Sequence, residues 1–232
     1  MLIESFNKKL FEKELKFLGH GDPRSAVIWF IGIDEGYGFL EPGDLIDSKE
    51  NFIIYKEGEV AKTHDTAIMS KITTGLKGLD WKVKWKNYRN KELFTTNSEA
   101  FLTYMFPIGK DTQDQWPDEY INIAGMSAPD YYSYVLSENG GRLEFLKKQI
   151  SYFKSHLVIF FGKSEKTLRY WKSFLRAFNL ENEIYIGLKE NYRVYINFRV
   201  VVTPQFSNRS MTNYHIDILL NIINKQKLNP FK

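Results

Sequence analysis

Alternating strands and helices predict an α/β fold for this chain of 232 residues. Four short apolar runs, rich in β-branched and aromatic residues, predict strands buried on both faces. They cover residues 26–32, 100–109, 156–162 and 198–204. Helical periodicity between them is typical of a parallel sheet covered by helices on both faces. We therefore predict a three-layer α/β/α sandwich around a central four-stranded, mainly parallel sheet.

Before residue 59 the chain contains one clear helix and one clear strand. Residues 2–18 have apolar side chains on one helical face, which predicts a helix before the strand at 26–32. Segment 59–76 also predicts a helix. In segment 81–89, lysines alternate with Trp and other residues. This alternation favours a half-exposed strand, and a surface that follows a nucleic-acid backbone is the other interpretation.

The second half of the chain is easier to interpret. Residues 142–154 predict an amphipathic helix, and Ser164 can cap the helix that follows the third core strand. Segments 183–187 and 192–196 predict a small peripheral pair of strands. The last helix is expected at about 213–226.

Composition limits the possible classes of protein. The absence of cysteine excludes disulfides, thiol catalysis and cysteine-ligated metal clusters. A net charge of +4 permits an anionic partner without requiring one. The charged amino terminus is unlike a signal peptide, and no apolar run approaches the roughly 20 residues of a membrane span. We expect a cytoplasmic monomer without membrane association or cofactor. We expect a single domain, 1–232, with an insertion at about 40–98.

Polar, turn-rich segments follow each predicted core strand. In an open α/β sheet, ligands bind beyond the carboxyl ends of the strands. The segments at that edge are 32–39, 107–120, 162–164 and 203–212. The first and last are the most polar, and their side chains would converge if their strands lie close together.

The first of these segments, "GIDEGYGF", contains adjacent carboxylates, Asp34 and Glu35. Its glycine spacing differs from the dinucleotide-binding pattern, and two carboxylates would repel a pyrophosphate. Asp34 either hydrogen-bonds its own turn or activates water and stabilises a developing cation. His64, Asp65, Glu35 and Asp34 offer imidazole and oxygen ligands for a metal ion, but no spacing is diagnostic of such a site, and we expect none.

The order of motifs resembles the uracil-DNA glycosylase superfamily. In that family the first strand runs into a loop such as G-Q-D-P-Y-H, and "GIDEGYG" takes that place. The segment "RLEFLKKQISYFKSHLVIFFGKSEKTL" is similar to the family's helix, strand and Gly-Lys pattern. "VVVTPQFSNRS" stands where the last strand runs into His-Pro-Ser. The match covers residues 26–38 and roughly 100–225.

The resemblance implies a uracil-DNA glycosylase-like fold and two catalytic residues. Asp34 would position water and stabilise the sugar cation, and Gln205, at the family's His position, would hydrogen-bond the leaving base. Tyr37 or Phe39 would stack on that base, and residues 207–209 would contact phosphates or enter the duplex. The implied substrate-binding residues are Gly32, Ile33, Glu35, Gly36, Tyr37, Phe39, Tyr104, Ser207, Asn208 and Arg209.

Three positions depart from the family pattern: Glu35 replaces Pro, Tyr104 replaces the base-reading Asn, and Gln205 replaces His. A glutamine amide donates a hydrogen bond but carries no charge. The loss of a charged donor costs about 1.5–3 kcal/mol of transition-state stabilisation.

We therefore expect a divergent DNA glycosylase-like protein that hydrolyses the N-glycosidic bond of a flipped base. One alternative is a non-catalytic DNA- or nucleotide-binding protein that retains the fold. Another is a nucleotide-handling hydrolase that uses Asp34 and Glu35 with a divalent ion.

Overall fold

The computed structural model of the chain describes most of the predicted core. The described residues are 13, 15–34, 51–108, 121–122, 125–137, 141–163, 168–178, 183–185, 193–195, 199–206 and 211–232. Of the helix predicted at 2–18, only the end falls within this part, and it is helical at Lys13, Leu15 and Lys16.

One mixed sheet contains the eight strands of the described part, and two of these strands have only two residues each. The strands are β1 (Gly19–His20), β2 (Ile28–Asp34), β3 (Phe52–Ile53), β4 (Ala100–Phe106), β5 (Leu157–Lys163), β6 (Glu183–Tyr185), β7 (Arg193–Tyr195) and β8 (Val200–Pro204). Their order across the sheet is β3-β1-β4-β2-β5-β8-β7-β6.

The six described helices lie between or after these strands along the chain, singly or in pairs. They are α1 (His64–Leu76), α2 (Trp81–Lys91), α3 (Ala128–Leu136), α4 (Arg142–Tyr152), α5 (Leu168–Ala177) and α6 (Asn213–Lys225).

The four predicted core strands lie side by side in the order β4-β2-β5-β8, and all three pairings between them are parallel. The chain passes from β2 outward to β4. It then crosses to β5 on the other side of β2 and continues to β8. The connections after β2 and β5 therefore leave in opposite directions, which defines a topological switch point between these two strands.

The two faces of the sheet bury separate apolar cores. Along β2, Trp29 and Ile31 belong to one core, whereas Ile28 and Phe30 belong to the other. This alternation follows from the period of two in a strand. Helices α3, α4 and α5 contribute to the Trp29 core, and α1, α2 and α6 contribute to the Phe30 core. Helices therefore cover both faces of the sheet.

The α/β class and the parallel core are confirmed, but the prediction of a four-stranded sheet is wrong in its strand count. Short segments extend the sheet at both ends. His20 of β1 pairs antiparallel with Leu102 of β4, and β1 pairs parallel with β3. At the other end β7 pairs antiparallel with β8 and with β6. Strands of two residues leave no periodicity in the sequence from which they can be predicted.

The strand interpretation of 81–89 is also wrong, because this segment forms helix α2. The Asp80 side chain caps the helix by accepting a hydrogen bond from the backbone N–H of Lys82 at 3.1 Å. Trp81 and Tyr88 are both buried in the core shared with α1. An odd spacing of seven residues places two side chains on the same face of a helix but on opposite faces of a strand.

A polar cluster ties α1 and α2 to the amino edge of the sheet. Lys77, directly after α1, donates to Glu99 Oε1 at 2.5 Å, and the Tyr88 hydroxyl donates to Glu99 Oε2 at 3.1 Å. Burial and the negative charge of Glu99 raise the pKa of Tyr88 well above its usual range. Glu99 immediately precedes β4, so its contact with Lys77 places the end of α1 at the amino edge of the sheet. The 13-residue α1 therefore begins about 18 Å from that edge, toward the carboxyl edge.

Candidate functional site

The carboxyl ends of the four parallel strands form one edge of the sheet. Their last residues are Asp34, Phe106, Lys163 and Pro204. Asp34 is the register partner of Phe106, and Lys163 is the partner of Pro204, so the ends are nearly level. Ligand sites of open α/β sheets lie at this edge, in the crevice at the switch point. The candidate site is therefore the region beyond β2 and β5.

A β-bulge shapes β5 where it approaches this crevice. The pairing of β5 with β8 shifts between Phe161 and Lys163, and Gly162 between them has a φ of +107°. A Cβ atom at Gly162 would lie 2.7 Å from Cγ1 of Ile33. Only glycine fits both this backbone conformation and this close approach. Ile33 therefore packs directly against the Gly162 backbone near the carboxyl ends of β2 and β5.

Tyr104 lies directly over Gly32, its register partner in β2. A Cβ atom at Gly32 would be 2.7 Å from two Tyr104 ring carbons and 2.9 Å from Cζ of Phe161. Tyr104 is only 5% exposed, and its ring meets that of His20 edge-on at 6.3 Å. The tyrosine ring therefore fills the space above Gly32 and forms part of the core below the edge.

We expect Gly32→Ala to destabilise the protein by about 2 kcal/mol, because the buried Tyr104 ring must move to admit a methyl group. The cost of this substitution should fall by at least half in a Tyr104→Val background, which removes the ring. Urea unfolding of the wild type, both single variants and the double variant measures the coupling between the two sites. An equal cost of Gly32→Ala in both backgrounds would contradict the contact.

His20 supports Tyr104 from the neighbouring strand β1. It is fully buried, and its Nδ1 lies 2.8 Å from the Tyr55 hydroxyl oxygen. The His20 and Tyr55 rings stack with centroids 5.9 Å apart. His20 was not singled out by sequence, because a histidine beside two glycines carries no periodic signal. His64, named above as a candidate metal ligand, is the exposed first residue of α1.

Gln205 is exposed and follows β8, one residue beyond Pro204. The next residue, Phe206, is buried and stacks on Phe161 with ring centroids 4.4 Å apart and an interplanar angle of 5°. Burial of Phe206 anchors the chain beside the outward-facing Gln205. Strand β5 lies between β2 and β8, so the ends carrying Asp34 and Gln205 are about 10 Å apart. Asp34 and Gln205 thus lie at the ends of strands that are not adjacent.

The structure describes only part of the predicted site. Tyr104 packs on Gly32 on one face of the sheet, whereas the Ile33 side chain belongs to the core on the other face and lies against Gly162. The backbone of Asp34 ends β2. Outside the described residues lie Glu35, Gly36, Tyr37, Phe39, Ser207, Asn208 and Arg209.

Arg142 is a buried cation beneath this edge that sequence reasoning missed. It is 1% exposed, and its guanidinium donates to the Tyr104 carbonyl oxygen from Nε at 3.3 Å and from Nη2 at 3.1 Å. Nη2 also donates to Thr103 Oγ1 at 3.1 Å. The guanidinium thus fixes the carboxyl half of β4. In the sequence, Arg142 is the first residue of the predicted amphipathic helix, where an arginine is usually exposed to solvent.

Asp65 is a carboxylate in the first turn of α1, toward the carboxyl edge. Its Oδ1 is buried and makes no hydrogen bond. Burial raises the pKa of Asp65 above its usual 3.8, and the His64 charge partly opposes this effect. In the described part of the chain, no group of three or more His, Asp or Glu residues is arranged to hold a metal ion.

The raised pKa of Asp65 predicts a pH-dependent stability difference. The folded protein binds the Asp65 proton more tightly than the unfolded chain, so ionisation destabilises the fold as the pH rises through the folded pKa. Asp65→Asn should therefore raise the free energy of unfolding at neutral pH, and this gain should shrink toward pH 3.8. Urea unfolding across this range tests it, with the exposed N-cap substitution Asp80→Asn as a control. A gain that is independent of pH would contradict the prediction.

The fold is that of an α/β protein whose parallel core has a topological switch point between β2 and β5, the place where open sheets of this kind bind ligands. No protein-family model matches the sequence, and no curated protein matches it either. Among the described helices, none combines the length and apolar character that crossing a membrane would require.

Proposed function

We propose that the protein binds DNA and hydrolyses the N-glycosidic bond of a base that has been taken out of the duplex. The observation that carries this proposal is the parallel strand order β4-β2-β5-β8. It brings the ends of β2 at Asp34 and of β8 at Pro204 to one edge of the sheet, with β5 between them. The resemblance to the uracil-DNA glycosylase superfamily assigns the water-positioning carboxylate and the base-holding group to Asp34 and Gln205.

The proposed reaction is a displacement at the C1′ atom of the sugar. The bond between C1′ and the base nitrogen breaks, and its electron pair leaves with the base. Asp34 stabilises the cationic sugar and accepts a proton from the attacking water, whose oxygen bonds to C1′. Gln205 donates a hydrogen bond to the departing base, which takes up a proton as it leaves. The products are the free base and an abasic site.

The flipped base needs a pocket with an aromatic surface and a polar edge. In this proposal, Tyr37 or Phe39 provides the stacking surface. Ser207, Asn208 and Arg209 contact the flanking phosphates or enter the duplex. The target is a damaged or modified base, since Tyr104 replaces the Asn by which the family reads the edge of uracil.

A specific observation favours a second candidate, a DNA- or nucleotide-binding protein without base release. Tyr104 takes the position of the base-reading Asn, and its ring is 5% exposed and packed on Gly32. A tyrosine in this position can form the wall of a pocket, and its hydroxyl is the one group with which it can hydrogen-bond a base. Binding through the fold would then persist after loss of the chemistry.

Strand scission distinguishes the two candidates. Labelled duplexes carrying uracil, hypoxanthine, xanthine or an alkylated base are incubated with the protein, and abasic sites are then cleaved with alkali. The proposed function predicts cleavage for at least one base, and less cleavage with Gln205→Ala. Salt-sensitive duplex binding without base release supports the second candidate. Cleavage that is unchanged in both Asp34→Asn and Gln205→Ala rules out the assigned mechanism.

A further inference from the structure

Helix α2 carries a strong excess of positive charge. Five of its 11 residues are Lys or Arg, and none is acidic. Lys82, Lys86 and Arg89 are spaced four and three residues apart, so they lie along one side of the helix over about 10 Å. The strand interpretation of this segment would not have placed them on one side.

Three cations converge on the half-buried ring of Trp85, and we call them the Trp85 cluster: Lys71, Lys86 and Arg89. Lys71 Nζ lies 5.0 Å from the ring centroid, Lys86 Nζ lies 5.8 Å away, and Arg89 Cζ lies 5.0 Å away. Lys71 comes from α1, whereas the other two come from α2. The indole ring thus holds like charges from two helices close together through cation–π contacts.

The charges of the Trp85 cluster are not neutralised by neighbouring carboxylates. Within the residues that the structure describes, no ion pair joins Lys71, Lys86 or Arg89 to an acidic side chain. The Lys71 ammonium donates to Asn213 Oδ1 at 2.9 Å, and burial lowers its pKa. The Nε of Arg89 is buried without a hydrogen-bond acceptor. Mutual repulsion among these cations opposes their convergence, and a bound anion would relieve it.

Acidic residues near α2 pair with other cations, outside the Trp85 cluster. Lys82 Nζ lies 3.5 Å from Asp217 Oδ2, and Lys91 Nζ lies 4.0 Å from Glu57 Oε1. Asp80 caps the helix at its start. Among the described residues, Lys71, Lys86 and Arg89 therefore form a group of three cations without an ion pair, and Lys84, on another side of α2, also has none.

The geometry of α2 favours a nucleic acid over an anionic membrane. A membrane-surface helix exposes a broad apolar face, whereas the apolar face of α2 is buried at Trp81 and Tyr88. Among the large hydrophobic residues of α2, only Val83 is strongly exposed, at 66%. A nucleic-acid strand presents a phosphate about every 3.4 Å of helix rise, so the side of α2 spans about three nucleotides.

We propose that the Trp85 cluster binds the phosphate backbone of DNA, with the strand running along the Lys86 and Arg89 side of α2. This surface lies on the face of the sheet covered by α1, α2 and α6, apart from the crevice residues. The inference shares its DNA partner with the proposed function, but it stands on the cations of α1 and α2 alone.

A charge-matched pair of triple variants tests this surface. The first is Lys71→Gln, Lys86→Gln and Arg89→Gln. The control removes three exposed positive charges from the opposite face through Lys154→Gln, Lys172→Gln and Arg176→Gln. Fluorescence anisotropy measures binding to a labelled 20-nucleotide single strand and to a 20-base-pair duplex, at salt concentrations from about 50 to 200 mM. Thermal unfolding confirms that each variant remains folded.

The Trp85-cluster variant should bind DNA at least about 30-fold more weakly near 100 mM salt, with a salt dependence of log K shallower by about 2–3. The control should stay within about threefold of wild type. Equal weakening of both variants would reveal a net-charge effect and overturn the inference. Unchanged DNA binding by the first variant would do the same, as would preferential wild-type binding to phosphatidylserine vesicles. The two proposals are distinguished by two measurements. Asp34→Asn should affect base release and not DNA binding, whereas the cluster variant should affect DNA binding and not base release.

Discussion

Asparagine in place of Asp34 is expected to slow base release at least about 100-fold, while duplex affinity stays within about threefold of wild type. General acid–base catalysis contributes roughly 10²–10⁴-fold to such reactions. An asparagine amide has nearly the same shape as the carboxylate. It does not accept the water proton, and it lacks the negative charge that stabilises the sugar cation. The position lies at the end of β2, where Asp34 is the register partner of Phe106. The substitution therefore leaves the buried part of the strand intact.

Single-turnover strand scission with excess protein measures this effect, because product release then does not mask the chemical step. Asp80→Asn is the matched control, since it makes the same chemical change at an N-cap where Asn and Asp are equivalent. A rate loss of less than about fivefold in Asp34→Asn would remove Asp34 from the mechanism. A parallel loss of duplex affinity would instead make Asp34 a binding residue.

Arg142→Met is expected to lower the free energy of unfolding by about 3 kcal/mol. The guanidinium is 1% exposed and donates to the Tyr104 and Leu15 carbonyls and to Thr103 Oγ1. Methionine fills similar volume but leaves these oxygens buried without that donor, and each unsatisfied group costs about 1–3 kcal/mol. Removal of the costly buried charge offsets part of this loss. Urea unfolding at neutral pH measures the difference.

Lys148→Met is the control for Arg142→Met, because it places the same residue on an exposed site of the same helix. Lys148 forms only a surface ion pair with Glu144, at 2.7 Å. Its loss should cost less than about 1 kcal/mol. Arg142→Lys should fall between the two, since an ammonium group keeps the charge but cannot reach all three acceptors. A cost of Arg142→Met equal to that of Lys148→Met would show that the buried hydrogen bonds contribute nothing net.

The core of the fold was predictable because its strands are long and apolar. Strand β2 at Ile28–Asp34 and strand β5 at Leu157–Lys163 lie inside the sheet, so their continuous apolar runs are visible in the sequence. Strand β1 at Gly19–His20 is held by its neighbours on both sides and has no pattern of its own. Helix α2 was missed because alternating lysines imitate a strand, although Asp80 and the Trp81–Tyr88 spacing indicate a helix.

The location of the candidate site was predictable, but its arrangement was not. Parallel strands place their carboxyl ends at one edge, so the loops after Asp34 and Pro204 were expected there. The strand order depends on how the intervening helices pack, and it placed β5 between those two strands. The role of Arg142 depends on its burial beside Thr103 and Tyr104, and burial of a charged residue leaves no signature in one sequence.

The outermost strands of the sheet, β3 and β6, have two and three residues as the structure describes them. A sheet edge is a template on which another polypeptide can hydrogen-bond, and its hazard grows with the number of unpaired backbone groups it displays. Strands β2, β5 and β8 are paired on both sides, whereas β1 pairs with β4 only at Leu102. In the described part of the chain, the terminal segments Phe52–Ile53 and Glu183–Tyr185 therefore present few unpaired backbone groups to a second polypeptide.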